Sequence, residues 1–268
     1  MIISTLSDAR RFDFATTELL KTCSKHVEKA AERIEEDRVS RTEERTKKSV
    51  LEKLLERTKN NTDIPTVMAM DAMLAGIDTT GASATFLLYH LAVNQEKQEA
   101  LYQEIREVVG EGEVTEASFR RLKYLRACTQ ESHRLLPVFS GLGRRTQKEL
   151  VLSSYTVPPG TCVIYWTFMA ARSESQYGRP TEFLPERWLR GQTEYKRAHA
   201  FSHIPFGHGP RSCIGRRFAE MEVAILVIKI LQRFRLEYEG PGLGLTMAIT
   251  NKPDRQVNIK FRDRKKQL

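Results

Sequence analysis

Residues 206–215 read Phe206-Gly207-His208-Gly209-Pro210-Arg211-Ser212-Cys213-Ile214-Gly215, and an amphipathic helix is predicted to follow at once, from Arg216 to Arg233. The three glycines allow a tight turn and a close approach of the backbone to a flat ligand. Cys213 lies at the predicted start of that helix, two residues after Arg211, where positive potential favours a thiolate. A thiolate is a strong axial ligand for haem iron. The stretch therefore predicts a metal-ligating cysteine; a buried structural cysteine is the alternative that suits most cysteines.

The composition narrows the possible classes of protein. The 268 residues are 40% hydrophobic, enough for a sizeable core, and carry a net charge of +9. Such an excess suits nucleic acid, an anionic membrane or an acidic protein partner. No zinc-ligand spacing and no aromatic-interleaved basic stripe accompanies it, which disfavours nucleic acid. The four cysteines are scattered without CxxC pairs, which favours a reducing compartment over a disulfide framework.

Two helical regions open the chain. Residues 1–60 are predicted to be a charged helical segment, with a helix over about 16–59 whose charge indicates a solvated face. Residues 61–268 are predicted to form the main domain. Its first helix follows Pro65, runs to about Val93 and is apolar on most sides, which predicts a central, buried helix.

The rest of the chain is predicted to be mainly α with small β sheets. Helices are expected over about 95–109 and 122–135, and the helical stretch after Cys213 is expected to end near Gly240. Segments 150–157 and 161–166 alternate around Pro158-Pro159-Gly160 as the two strands of one hairpin would. A last strand pair is expected between 245–249 and 257–261.

Two further motifs carry polar residues in helical context. Ala75-Gly76-Ile77-Asp78-Thr79-Thr80 lies in the middle of the apolar helix, where an acid and two threonines are costly unless they are hydrogen-bonded or face a polar cavity. A kink with satisfied polar groups is the alternative interpretation. Glu131 and Arg134 share a helix face at i, i+3, where a salt bridge can form, and taken alone they indicate a surface ion pair.

These motifs resemble those of the cytochrome P450 family. Every fixed position of that family's FxxGxRxCxG haem-binding loop is filled here, and Ala75 to Thr80 matches its oxygen-activating pattern. Pro185-Glu186-Arg187-Trp188 looks like the family's Pro-Glu-Arg-Phe segment, with Trp188 in place of Phe. The resemblance spans residues 62 to 260 in the family's order. It implies the haem-binding, C-terminal portion of a cytochrome P450 fold, with the N-terminal half missing.

The resemblance also implies roles for individual residues. Cys213 would hold the iron of haem b as its sole protein ligand, with Phe206 packed near the thiolate. Gly76 would leave room for the ligand, Asp78 would relay protons and Thr79 would hydrogen-bond the dioxygen. The haem propionates would be bound by Arg211, Arg144 (with Arg145 as its fallback) and His208. A structural triad would hold the loop that leads to the cysteine, and it consists of Glu131, Arg134 and Arg187.

Residues 207–220 look most like the animal mitochondrial branch of the family, which takes electrons from a small acidic ferredoxin. In those relatives the ferredoxin docks on basic residues around Glu131. Two cations are expected there; Arg126 is one of them, and Gln130 stands in place of the other. Further candidates for docking are Lys123, Arg216 and Arg217. An NADPH-dependent P450 reductase is the alternative donor. The resemblance implies a location on the matrix side of the mitochondrial inner membrane, or alternatively the endoplasmic reticulum membrane, with membrane association expected for the full-length parent only.

The expected activity is that of a haem-thiolate monooxygenase, which activates oxygen and hydroxylates a lipophilic substrate. The alternative is a non-catalytic fragment that binds haem or ferredoxin.

Overall fold

A computed structural model of the protein describes residues 2–40, 48–59, 61–195, 198–247 and 250–264, except for the side chains of residues 2–12 and 40. The described α-helices are α1 (Ile2–Ser40), α2 (Val50–Arg57), α3 (Asp63–Val93), α4 (Gln95–Val108), α5 (Glu116–Arg121), α6 (Lys123–Leu135), α7 (Thr167–Ala171) and α8 (Arg216–Arg233). Within the same residues, two short 3-10 helices cover Pro185–Trp188 and Gly209–Arg211. The predicted class, mainly α with small sheets, is confirmed.

The chain packs as two compact units, Met1–Ile77 and Asp78–Leu268, so that the boundary falls within α3. The division at residue 60 stays a prediction about sequence segments. In the first unit, the helix predicted over 16–59 corresponds to α1 and α2; its residues 41–47 lie outside the described residues. The core between these two helices is small and includes Val27, Ala30 and Leu55.

The prediction that α3 is buried along its length is wrong for its first half. From Ser83 to Ala92 most side chains are buried, and Phe86, Leu87 and Leu91 are fully enclosed. Before that point the helix exposes large apolar side chains, at Ile64, Val67, Met68, Met73, Leu74 and Ile77. An apolar helix becomes buried only where other elements pack on it, and the described residues cover most of the second half but leave these positions of the first half exposed.

The main core of the second unit joins the end of α3 to α4, α6 and α8, through side chains such as Leu101, Leu125 and Ile228. The helix predicted to reach Gly240 ends at Arg233 instead, and Phe234–Glu237 forms a strand. Gln98 explains this ending, because its side-chain amide donates to the Leu236 carbonyl and accepts from the Leu236 N–H, both at 2.9 Å. These bonds fix the backbone of Leu236 in an extended conformation.

In the described part of the chain the strands form four separate antiparallel pairs: β1 (Leu142–Arg145) with β4 (Cys162–Tyr165), β2 (Leu150–Leu152) with β3 (Tyr155–Val157), β5 (Phe234–Glu237) with β8 (Lys260–Asp263), and β6 (Leu245–Thr246) with β7 (Lys252–Pro253). The hairpin predicted between 150–157 and 161–166 is therefore wrong. Ser153 and Ser154 both take positive φ, 47° and 70°, so the chain reverses between them in a two-residue turn. The pairing of 245–249 with 257–261 is also wrong, and its residues 248 and 249 lie outside the described residues.

None of the described helices combines the length and the hydrophobicity that a membrane span requires.

Candidate functional site

The Cys213 loop closes on itself before α8 begins. Gly207 and Gly209 have φ of 73° and 74°, a left-handed conformation that favours glycine. The Cys213 N–H donates to the Phe206 carbonyl at 2.8 Å, and the Ser212 N–H donates to the Gly209 carbonyl at 3.0 Å. The loop therefore presents an exposed Cys213 just ahead of the first turn of α8.

The surroundings of Cys213 fit a haem. The two apolar residues that follow it, Ile214 and Phe218, are 93% and 58% exposed, an apolar surface of the kind that a porphyrin face covers. A Cβ added at Gly215 would lie 3.9 Å from the Cys213 Sγ, so glycine leaves this side of the sulfur open. Among the described residues no group of three or more His, Cys, Asp or Glu side chains could hold a metal ion. A haem would need only one thiolate from the chain, because the porphyrin nitrogens already bind its iron.

The residues predicted to meet the propionates are exposed but not joined to each other. Arg211 ends the 3-10 helix of the loop, and Arg144 and Arg145 lie in β1. The Arg144 guanidinium donates to the carbonyl of its neighbour Gly143 at 2.8 Å. The His208 ring packs edge-on against Phe201, with 5.0 Å between the ring centroids. In the described residues no hydrogen bond or ion pair connects Arg144, Arg211 and His208.

The motif from Ala75 to Thr80 lies in the middle of α3. Asp78 is exposed, and Lys252 Nζ donates to its Oδ2 at 3.3 Å, an ion pair that the sequence analysis did not predict. Thr79 and Gly76 are half-buried, and a Cβ added at Gly76 would meet no atom within 4 Å. Both partners of the Asp78–Lys252 pair are more than half exposed, so it contributes little to stability and leaves the carboxylate accessible to water.

Glu131, Arg134 and Arg187 meet in the interior rather than at the surface. Glu131 and Arg134 are fully buried and form a two-point ion pair: Nε donates to Oε2 at 2.9 Å and Nη2 donates to Oε1 at 2.8 Å. Arg187 Nε donates to the same Oε1 at 2.9 Å. Two donors that the sequence analysis missed complete the set, the Leu184 N–H at 3.0 Å and the Trp188 indole N–H at 2.9 Å. Five hydrogen bonds thus satisfy one buried carboxylate.

The two guanidiniums also hold backbone carbonyls of the segment that precedes the Cys213 loop. Arg134 donates to the carbonyls of Ala171, Pro180 and Glu182, and Arg187 donates to those of Gly178 and Arg179. The triad therefore ties α6 to the irregular chain around residues 171–188. The signal that could have found Trp188 was its place in the Pro-Glu-Arg-Phe pattern, where its indole adds a donor that Phe lacks.

His133 is a buried residue to which the sequence analysis assigned no role. Its Nε2 lies 2.6 Å from the Ser83 Oγ of α3, and its ring packs edge-on against Phe206, with 5.7 Å between centroids. Burial lowers the pKa of His133 to about 4. The guanidinium of Arg216 lies on the same Phe206 ring, 5.3 Å from its centroid.

The predicted docking residues lie on α6 and α8. A cavity of about 510 Å³ is bounded by both helices and by the Cys213 loop; its walls include Arg126, Gln130 and Arg216. Lys123 and Arg217 are exposed on the same two helices. Arg216 is already paired within α8, since its Nε donates to Glu220 Oε1 at 2.9 Å.

Comparison with known proteins relates the chain to one family. The family model for cytochrome P450 matches residues 5–250. The chain is 39% identical to the probable cytochrome P450 12a5, mitochondrial, of Drosophila melanogaster, over 89% of its own length and 46% of that relative. It is 39% identical to the cytochrome P450 CYP12A2 of Musca domestica, over 89% of its length and 47% of the relative. The mitochondrial sterol 26-hydroxylase of Rattus norvegicus is 34% identical, over 72% of this chain and 38% of the relative.

The fold and the cysteine loop define a haem-thiolate protein. The chain belongs to the cytochrome P450 family, as the sequence motifs predicted. The family consists of haem-thiolate monooxygenases, and haem held by a cysteine thiolate is its cofactor. The chain spans less than half the length of these three relatives.

Proposed function

We propose that this chain provides the haem-ligating part of a cytochrome P450 monooxygenase, with Cys213 as the protein ligand of the iron. The observation that carries the proposal is the Cys213 loop. Its backbone is closed by the Cys213 N–H bond to Phe206, and its thiol is exposed beside an apolar surface. When bound, the haem supplies the oxygen chemistry that protein side chains cannot perform.

The other residues of the site have supporting roles in this proposal. Asp78 holds and passes protons, which suits a carboxylate that water can reach, and Thr79 orients the proton at the reacting oxygen. Arg211 and Arg144 bind the propionates, because a guanidinium presents a planar fork of donors to a carboxylate. His208 and Arg145 are the alternative residues for binding the propionates. Gly76 keeps α3 free of a side chain where the ligand approaches.

We propose hydroxylation of a lipophilic substrate, driven by electrons from an acidic ferredoxin on the matrix side of the mitochondrial inner membrane. Several matched relatives carry the word mitochondrial in their names, which supports this assignment. The positively charged residues on α6 and α8 next to the Cys213 loop support an acidic partner.

One observation favours a second candidate, a haem- or ferredoxin-binding fragment without turnover. The first half of α3 exposes its apolar side chains, including Leu74 at 55% and Ile77 at 65%, close in sequence to Asp78. A substrate pocket encloses the apolar side chains that face it, so exposure of these positions among the described residues favours haem binding without substrate turnover.

The test is carbon monoxide difference spectroscopy of the haem-loaded, reduced chain. A thiolate-type Soret band is expected in the parent and its loss in Cys213→Ser. The matched control is Cys162→Ser, because Cys162 is also exposed but lies in β4. Retention of the band in Cys213→Ser would refute the ligand assignment. A band without substrate turnover would favour the second candidate.

A further inference from the structure

Three segments of the second unit converge on the imidazole of His133. Ser83 of α3 lies 2.6 Å from its Nε2, and Phe206 of the Cys213 loop packs on its ring. His133 itself belongs to α6, one residue before Arg134 of the buried triad. The ring thus lies where a helix of the core, the triad helix and the cysteine loop come together.

The pair of Ser83 and His133 is built for support rather than for reaction. A serine next to a histidine also occurs in nucleophilic sites, where the hydroxyl must be reached by a substrate. Here the two residues are only 6% and 7% exposed. The imidazole is neutral at physiological pH, since burial keeps its pKa low. A neutral ring that a hydrogen bond holds in one orientation restricts the position of an aromatic ring that packs on it.

The contact reaches the cysteine through one residue. The Phe206 ring lies against His133 and Arg216, and its carbonyl accepts the Cys213 N–H at 2.8 Å. If the ring loses its support, the Phe206 backbone gains freedom and the bond to Cys213 weakens with it. An apolar residue at position 133 could pack on Phe206 but could not bond to Ser83.

We propose that His133 is a positioning residue for Cys213: held by Ser83, it fixes the Phe206 ring and thereby the backbone that carries the thiol. This role rests on the proposed function only in so far as Cys213 is called the iron ligand. The contacts themselves belong to the chain without haem.

Amide hydrogen exchange of the full chain without haem tests the proposal. The ratio of the exchange rate at Cys213 to that at Thr146 is measured, because the Thr146 N–H is bonded to the Thr161 carbonyl and not to the Cys213 loop. Ser83→Ala and His133→Leu should each raise this ratio about fivefold, the factor that corresponds to one ordinary hydrogen bond. Ser83→Thr keeps the hydroxyl and should keep the parent's ratio.

His90→Leu is the matched control. His90 is another buried histidine, 7% exposed, and its ring stacks on Phe183 rather than on the loop. This variant should leave the ratio unchanged even if the whole unit becomes less stable. An unchanged ratio in Ser83→Ala overturns the proposal, and so does an equal loss of protection at Cys213 and Thr146. If His133→Leu does not fold, Ser83→Ala decides alone.

A spectroscopic measurement separates this inference from the proposed function. In haem-loaded protein, His133→Leu should convert part of the reduced carbon monoxide complex from the thiolate-type band to the band of a protonated thiol, while His90→Leu should not. A parent that shows no thiolate-type band contradicts the proposed function, and the exchange ratio still decides the role of His133.

Discussion

Replacing Trp188 by Phe tests how much the buried carboxylate of Glu131 depends on its fifth donor. The change introduces the residue expected from the family pattern and removes the indole N–H bond to Oε2, at 2.9 Å. It also shortens a ring that packs on His203, with 4.9 Å between the ring centroids. A hydrogen bond to a charged group contributes about 1.5–3 kcal/mol. The Arg134 Nε still bonds to the same oxygen at 2.9 Å, so the carboxylate stays paired. We therefore expect a loss at the low end of this range, about 1.5 kcal/mol in the free energy of unfolding.

Urea unfolding, followed by far-ultraviolet circular dichroism, measures this loss. With a slope of about 3 kcal/mol per molar urea, at the upper end for small proteins, the midpoint should fall by about 0.5 M. Trp166→Phe is the matched control, because it makes the same chemical change at a side chain that is 48% exposed. Its midpoint should stay close to that of the parent.

Two results would refute this reasoning. A Trp188→Phe midpoint equal to the parent's would mean that the indole donor contributes nothing to the buried cluster. Equal shifts in Trp188→Phe and Trp166→Phe would mean that the loss of indole packing, and not the hydrogen bond, sets the cost.

Three more outcomes are expected. In haem-loaded protein, Thr79→Ala should divert reducing equivalents to peroxide with haem binding intact, and unchanged coupling of electron use to product would contradict the proton role. Arg126→Glu should slow reduction by a ferredoxin several-fold at low salt, with a gap that narrows as salt rises, whereas Arg106→Glu on α4 should not; equal rates would remove Arg126 from the docking site. Acid should destabilise the fold below about pH 6.5, because the unfolded chain then binds protons that three histidines do not bind in the folded chain, at about 1.4 kcal/mol per pH unit for each. These residues are His90, His133 and His203, whose pKa values burial lowers to about 3, about 4 and about 3. The melting temperature measured against pH should fall less steeply in His90→Leu, and an identical slope would count against this origin.

Several features could be predicted from the sequence because they depend on neighbours along the chain. The bounds of α4 and α6 follow from apolar periodicity and from the residues that stop each helix. The cysteine loop belongs to the same class, since Gly207 and Gly209 supply the two left-handed positions and its bonds join residues only a few positions apart. Membership of the cytochrome P450 family followed from such local motifs.

Strand pairing and burial were harder to predict, because distant segments compete for the same partners. β4 alternates as well as β2 does, yet it pairs with β1, since the Ser153-Ser154 turn has already joined β2 to β3. The end of α8 depends on Gln98, a residue far away in sequence. The exposed half of α3 shows that an apolar helix alone does not determine what covers it.

The sequence by itself determined the family, the mainly helical class and Cys213 as the candidate ligand, because each rests on local pattern and short-range backbone geometry. Only the tertiary structure decided that Glu131 is a buried hub with five donors and that His133 links Ser83 to Phe206. Apart from the Glu131–Arg134 pair, those contacts join residues 50 or more positions apart, and a hydrogen bond or a ring contact between such residues leaves no periodic signal in the chain. Such partners are selected by the packing of whole elements, and packing is a property of the folded chain.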